Sequence, residues 1–230
     1  MADKKLIHVA LIPDGNRRWA KSKGLVESMG HKSAGKYENL VNLFEEARDF
    51  GVKYFSLWVF SSDNWKRSTI EVKILFEIVH SLIKQLVIDN DKNKVQFRWV
   101  GRRDRISKSL KEEIENLERI SSKFDDFVFQ ICLDYGGRDE IIRAVNKILD
   151  SGKKEINEKD FSSFLDTPEV PNIDLIIRTS GEQRTSGFMP WQSAYSELYF
   201  SPVHFPDFDR KAFRVALESF GKRERRFGGD

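Results

Sequence analysis

Leu6-Ile7-His8-Val9-Ala10-Leu11-Ile12, followed at once by Pro13-Asp14-Gly15-Asn16-Arg17-Arg18-Trp19, is the stretch from which the fold can be read. A short, nearly unbroken apolar run bounded by turn residues fits a strand covered on both faces. The loop after it is polar and cationic. The same unit recurs down the chain. Apolar runs at residues 54–60, 95–100, 127–133 and 173–177, and a shorter one at Glu197–Phe200, are rich in β-branched and aromatic side chains.

Helix-period stripes separate these runs. Leu40, Val41, Phe44 and Ala47 form one, ended by Gly51. Ile74, Leu75, Ile78, Val79, Leu82, Ile83 and Leu86 form a second, opened by the capping-box pattern Ser68-Thr69-Ile70-Glu71. Its apolar positions exceed a single seam and suit either a channel wall or plain core. Further stripes carry Ile106, Leu110, Ile114 and Leu117, then Ile141, Ile142, Val145 and Leu149, and finally Phe213, Ala216, Leu217 and Phe220. The polar residues 151–160 read as a loop. This alternation predicts one α/β domain over residues 1–230, with a central, mostly parallel, six-stranded sheet flanked by helices. Ligands of such sheets bind beyond the carboxyl ends of the strands, so the loops there are the place to look.

Composition narrows the function. The 230 residues are 40% hydrophobic and 33% charged, with 39 Lys and Arg against 36 Asp and Glu. A net charge of +3 is too small to imply nucleic acid. The single cysteine, Cys132, excludes an internal disulfide and, lying in an apolar run, reads as core. The amino terminus shows no signal-peptide pattern and no stretch is long enough to span a bilayer, so a cytosolic location is the default expectation.

The loops carry the chemistry. Asp14-Gly15-Asn16 is turn chemistry, but it also suits a strand-to-helix loop whose amides and two arginines face an anion, with Asp14 placed for a metal. Ser61-Ser62-Asp63-Asn64-Trp65-Lys66-Arg67 gathers hydroxyls, a carboxylate, an amide and a guanidinium; a helix cap is the plainer alternative. Asp134-Tyr135-Gly136-Gly137-Arg138 is a turn or a third ligand loop. After the fifth run come Arg178, Thr179, Ser180, Gly181, Glu182, Arg184, Thr185 and Ser186, then Trp191, Gln192 and Glu197.

Taken in order, these motifs resemble the cis-prenyltransferases, whose familiar bacterial member is undecaprenyl diphosphate synthase. The resemblance runs from His8-Val9-Ala10 and the Asp14–Ala20 motif through Gly30-His31-Lys32, Phe60–Trp65, Tyr135–Arg138 and Ile177–Glu182 to Arg223–Gly229. It implies condensation of isopentenyl diphosphate with an allylic diphosphate, such as farnesyl or geranyl diphosphate, to a Z-polyprenyl diphosphate. It further implies Mg²⁺, a homodimer, no nucleic acid, and transient membrane contact through a lipid product. By this likeness Asp14 and Glu197 hold the metal. Gly15, Asn16, Arg17 and Arg18 cradle the allylic diphosphate, with Trp19 and His31 beside it. Asn64 corresponds to the catalytic amide. Ser61, Ser62, Asp63, Trp65 and Arg67 line the same cleft, and Arg178, Arg184, Thr185 and Ser186 bind isopentenyl diphosphate, their arginines oriented by Glu182. The family gives the amide a proton-acceptor role; an amide is a poor base, so Asn64 is expected to position the acceptor, with the substrate's own diphosphate the candidate.

Three departures stand out. Glu27 occupies a place where bacterial members commonly have arginine. Val59 and Leu133 replace small residues expected to face the growing hydrocarbon, and Phe127 falls where a tunnel floor would lie. Bulk in such a channel costs about 1–3 kcal/mol when overpacked, so a product shorter than undecaprenyl is expected. The chain lacks a Gly-x-Gly-x-x-Gly fingerprint and a Walker loop, which argues against a nucleotide-binding enzyme. Retention of Asp14, Asn64 and Arg178 argues against a catalytically silent regulatory subunit.

Overall fold

The computed structural model describes residues 5–222. In chain order it runs β1 (His8–Ile12), α1 (Asn16–Ser22), α2 (Glu27–Ala34), α3 (Tyr37–Asp49), β2 (Tyr54–Ser61), α4 (Thr69–Ile88), α5 (Asn90–Asn93), β3 (Gln96–Val100), α6 (Lys108–Ser121), β4 (Val128–Tyr135), α7 (Gly137–Asp150), α8 (Glu158–Ser163), β5 (Leu175–Arg178), β6 (Glu197–Phe200) and α9 (Arg210–Gly221). The six strands form one sheet in the order β3-β4-β2-β1-β5-β6. All neighbouring pairs are parallel, so the sheet is fully rather than mostly parallel. Every residue of β1, β4 and β5 is buried, as strands roofed on both faces require.

The principal core lies where α3, α4, α6 and α9 cover one face of the sheet. Phe129 of β4 sits at its centre, with ring centroids 6.0 Å from Phe44, 5.4 Å from Phe55 and 5.8 Å from Phe97. One buried polar chain crosses the three middle strands. His8 Nδ1 lies 2.8 Å from the Pro171 carbonyl and Nε2 lies 2.8 Å from the Ser56 hydroxyl, which reaches Gln130 at 2.7 Å. Burial is the main influence on this ring and pushes its pKa down to about 4, against the Pro171 bond and the Asp174 charge.

Several expectations need correction. Residues 16–34, which show no clear stripe, form the two short helices α1 and α2. Ile106 precedes α6 instead of lying on it, and residues 158–160 belong to α8 instead of a loop. Only half of the capping box forms. Ser68 Oγ accepts the Glu71 amide at 3.2 Å, but the Glu71 carboxylate turns to Arg67 and His31. On α7 the inward residues are Gly137, Glu140, Ala144 and Ile148; Ile142, Val145 and Leu149 are exposed. The motif Arg223–Gly229 lies outside the described residues.

Candidate active site

The carboxyl ends of β1, β2 and β5 open into one polar cleft. Its walls include Asp14, Gly15, Asn16, Arg17, Arg18, His31, Ser61, Asp63, Asn64, Arg67, Arg178, Glu182, Arg184 and Ser186. The register explains the gathering: Ile12 at the end of β1 stands beside Arg178 at the end of β5. Asp14 therefore emerges next to the guanidinium that it pairs with, Arg178 Nη2 donating to Asp14 Oδ2 at 2.7 Å. Thr179 fixes the same loop, accepting the Asp14 amide and donating to its carbonyl, each at 2.8 Å. Gly15 has φ of 98°, and a Cβ there would lie 2.4 Å from Ser180 Oγ and 2.6 Å from His204 Nδ1. Only glycine fits that turn.

The electrostatics keep Asp14 ionised. Burial alone would raise its carboxyl, but the Arg178 hydrogen bond and charge, the Gly15 amide and the Arg18 charge outweigh burial and hold its pKa below the usual value. Glu182 joins two further guanidiniums, accepting from Arg18 at 2.7 Å and from Arg184. Across the cleft Glu71 links Arg67, at 2.9 Å, to His31, at 3.1 Å. Burial, with the charges of Arg67 and Arg17, keeps the His31 pKa low against the opposing pull of Glu71. Three buried polar atoms in the cleft lining have no partner: Arg178 Nε, Asn16 Oδ1 and His31 Nδ1. An unsatisfied buried group costs about 1–3 kcal/mol, so their concentration marks a place built for a polar ligand.

Asn64 is oriented by the short 3-10 helix Ser62–Lys66. Its side-chain oxygen accepts the Ser61 amide at 3.0 Å. A backbone amide can only donate, so the atom facing it is the carbonyl oxygen, and Asn64 is left with its NH₂ donor for a ligand. Beneath the cleft runs a narrow apolar channel lined by Ala34, Gly35, Leu57, Val59, Leu75, Ile78, Leu82, Leu86, Phe129 and Ile131. Cleft and channel share Pro13, Asn16, His31, Val59 and Leu75. They are one continuous site, charged at the mouth and greasy below.

Residues 12–228 match the family model described as putative undecaprenyl diphosphate synthase. The chain belongs to this family. The isoprenyl transferase of Fusobacterium nucleatum is 45% identical over 96% of this chain and 95% of its own length, and that of Aquifex pyrophilus is 44% identical over the same shares. Among solved structures, lavandulyl diphosphate synthase from Lavandula x intermedia, in complex with dimethylallyl diphosphate, has a TM-score of 0.91 at 33% identity, covering 96% of this chain and 98% of that one. A probable undecaprenyl diphosphate synthase from Campylobacter jejuni has a TM-score of 0.81 at 30% identity, covering 98% and 100%. The protein is thus a prenyltransferase.

In this prenyltransferase not every expected residue reaches the cleft. Glu197 opens β6 in register with Leu175, at the amino ends of the strands, whereas Asp14 follows the carboxyl end of β1. Within one chain it cannot share a metal with Asp14. Trp19 is buried on the inner side of α1. Ser62 is packed over Gly136, where a Cβ would meet its hydroxyl at 2.2 Å. The Trp65 indole turns into the core, stacking on Phe76 and donating to buried Asp134 at 2.8 Å. Thr185 closes a turn, its carbonyl oxygen accepting the Phe188 amide at 3.0 Å. Glu27, the reversed charge, lies 3.8 Å from Arg17 at the exposed rim. Phe127 and Leu133 are core residues on either side of the channel-lining pair Phe129 and Ile131, so only Val59 of the three bulky departures faces the channel. Trp58 lines the cleft unforeseen, while Leu75, from the stripe that suited a channel wall, lines both cleft and channel. Trp58 sits in an apolar run and carries no signal separating it from core.

Proposed function

We propose that this prenyltransferase condenses isopentenyl diphosphate with an allylic diphosphate, such as farnesyl or geranyl diphosphate, and extends a Z-polyprenyl chain shorter than undecaprenyl. The observation that carries this reading is the continuity of a guanidinium-lined cleft with an apolar channel. A substrate with a diphosphate head and a hydrocarbon tail matches both parts at once. Arg17, Arg18, Gly15 and Asn16 would hold the allylic head, while Arg178, Arg184 and Ser186 would hold isopentenyl diphosphate. Breaking the allylic carbon–oxygen bond leaves a delocalised cation and a diphosphate anion, so stabilising the departing anion is the main task of these groups. Asn64, with its oxygen committed to Ser61, would donate to a diphosphate oxygen and orient it as the proton acceptor.

Mg²⁺ fits Asp14 in one mode. Among the described residues no group of three or more His, Cys, Asp or Glu side chains converges on a metal position. Magnesium is commonly held by one or two carboxylates with substrate phosphates completing its shell, and an ionised Asp14 facing the cleft supplies that carboxylate. Bound there, the ion would neutralise charge on the leaving diphosphate.

Incorporation of labelled isopentenyl diphosphate, with dimethylallyl, geranyl and farnesyl diphosphates as primers, tests the reading. Chain growth is expected, and its absence with every primer would overturn the assignment. Val59 and Phe129 both put bulk on the channel lining, so chromatography should show products below undecaprenyl, lengthened in Phe129→Ala. A dominant undecaprenyl product from the unmodified enzyme would refute the length assignment.

The functional unit is proposed to be a homodimer. Exposed Ile142, Val145 and Leu149 lie at helical spacing on α7, an apolar stripe suited to a second copy. Val145→Glu should yield a monomer in sedimentation velocity; an unchanged dimer would move the interface elsewhere.

A further inference from the structure

The helical hairpin α1–α2 ends in an apex unlike the rest of the surface. Leu25, Val26 and Met29 are exposed to 42%, 68% and 41%. The apex is ordered by its backbone. The amides of Lys23, Gly24 and Leu25 return to carbonyls of Ala20 and Lys21 at 2.9–3.1 Å, and Gly24 takes φ of 67° to turn the chain outward. Two aliphatic side chains are thus presented to solvent on a fixed support. The charge along the hairpin is one-sided, although Asp207, from outside it, meets Lys23 at 3.5 Å. Residues 17–36 contain Arg17, Arg18, Lys21, Lys23, Lys32 and Lys36 against the single acid Glu27, in a chain whose totals are nearly balanced at 39 to 36. Lys21, Lys23, Lys32 and Lys36 are all exposed. Helix α2 continues from this apex into the channel, where it contributes His31, Ala34 and Gly35.

We infer that the α1–α2 apex docks on an anionic lipid surface, Leu25, Val26 and Met29 entering the headgroup boundary and the lysines meeting the headgroup charge. Apolar anchors ringed by basic side chains are the chemistry of interfacial binding. A nucleic acid would use the lysines but leave the aliphatic apex unexplained. No described helix is long and apolar enough to cross a membrane, so attachment at this surface is peripheral. The inference rests on the prenyltransferase reading only for its purpose, since a lipid product then leaves from a channel whose wall includes α2.

The test is co-sedimentation of the full chain with vesicles of phosphatidylcholine alone and of phosphatidylcholine with phosphatidylglycerol at 3:1. Binding to the mixed vesicles is expected, weakened by added salt. Leu25→Asp/Val26→Asp should lower it by about tenfold or more, and Lys21→Glu should lower it severalfold. Turnover of the double variant in detergent with a short primer should match the unmodified enzyme, which also shows that it folds. Failure of the unmodified chain to pellet, equal binding to neutral vesicles, or undiminished binding of the double variant would each overturn the inference. So would a change of oligomeric state in the double variant without vesicles, which would reassign the apex to a subunit contact. Lack of turnover in the unmodified chain would instead count against the functional reading alone.

Discussion

Asp14→Ala should lower turnover by about 10²–10³-fold or more, the scale seen when one stabiliser of developing charge is removed. The structure adds a second consequence. Arg178 is 5% exposed, and among the described residues its carboxylate partner is Asp14, at 2.7 Å. Taking the acid away leaves a buried cation, which still reaches the Arg184 carbonyl at 2.7 Å and Ser186 at 2.8 Å. The stability loss should therefore be about 1–3 kcal/mol, the cost of one unmet charged hydrogen bond rather than of an isolated ion. Asp14→Asn keeps an acceptor toward Arg178 and should recover much of that stability while remaining inactive. Steady-state turnover and thermal denaturation of both variants separate the two effects. Near-normal turnover in Asp14→Asn would remove Asp14 from the chemistry.

The second large effect concerns folding. His8 is fully buried with a pKa near 4, against an ordinary value of 6.5. Between those values the unfolded chain binds a proton that the folded chain refuses, so stability rises with pH through this window. The contribution is complete above 6.5 and is lost as pH falls toward 4. The shift corresponds to roughly 3 kcal/mol. His8→Gln, whose amide does not titrate, should lack this component. Urea midpoints of both proteins at pH 7 and pH 4.5 provide the check, since titrating carboxylates contribute to both and cancel in the difference. An equal change of midpoint between the two pH values in both proteins would show that His8 binds its proton alike in the folded and unfolded states.

Much of this architecture was legible in the residue order. Parallel strands covered on both faces leave unbroken apolar runs, and all the expected strands are present within a few residues of the expected bounds. The site was legible because the fold puts its ligand loops directly after those runs. What escaped was three-dimensional. Helical spacing marks Ile142, Val145 and Leu149 as an apolar stripe but is the same for a core face and a surface face. Phe127 and Phe129 alternate onto one side of β4, yet only depth along the channel distinguishes floor from core. Glu197 follows the cleft loops closely in sequence, but the connection before it carries the chain back to the amino end of the sheet, where β6 begins. Asn64 could be picked out as an amide; which of its atoms faces the cleft depended on the Ser61 cap.

Helix α2 lies so close to α1 that a Cβ on Gly30 would stand 1.9 Å from the Asn16 carbonyl oxygen. The channel wall and the turn that carries Asn16 therefore meet backbone to backbone, with no side chain between them at that point to act as a bearing. Tilting that wall outward to free a finished tail would drag Asn16 with it and loosen the head in the same motion. On the proposed reading, release of the diphosphate head and of the hydrocarbon tail would then be mechanically coupled.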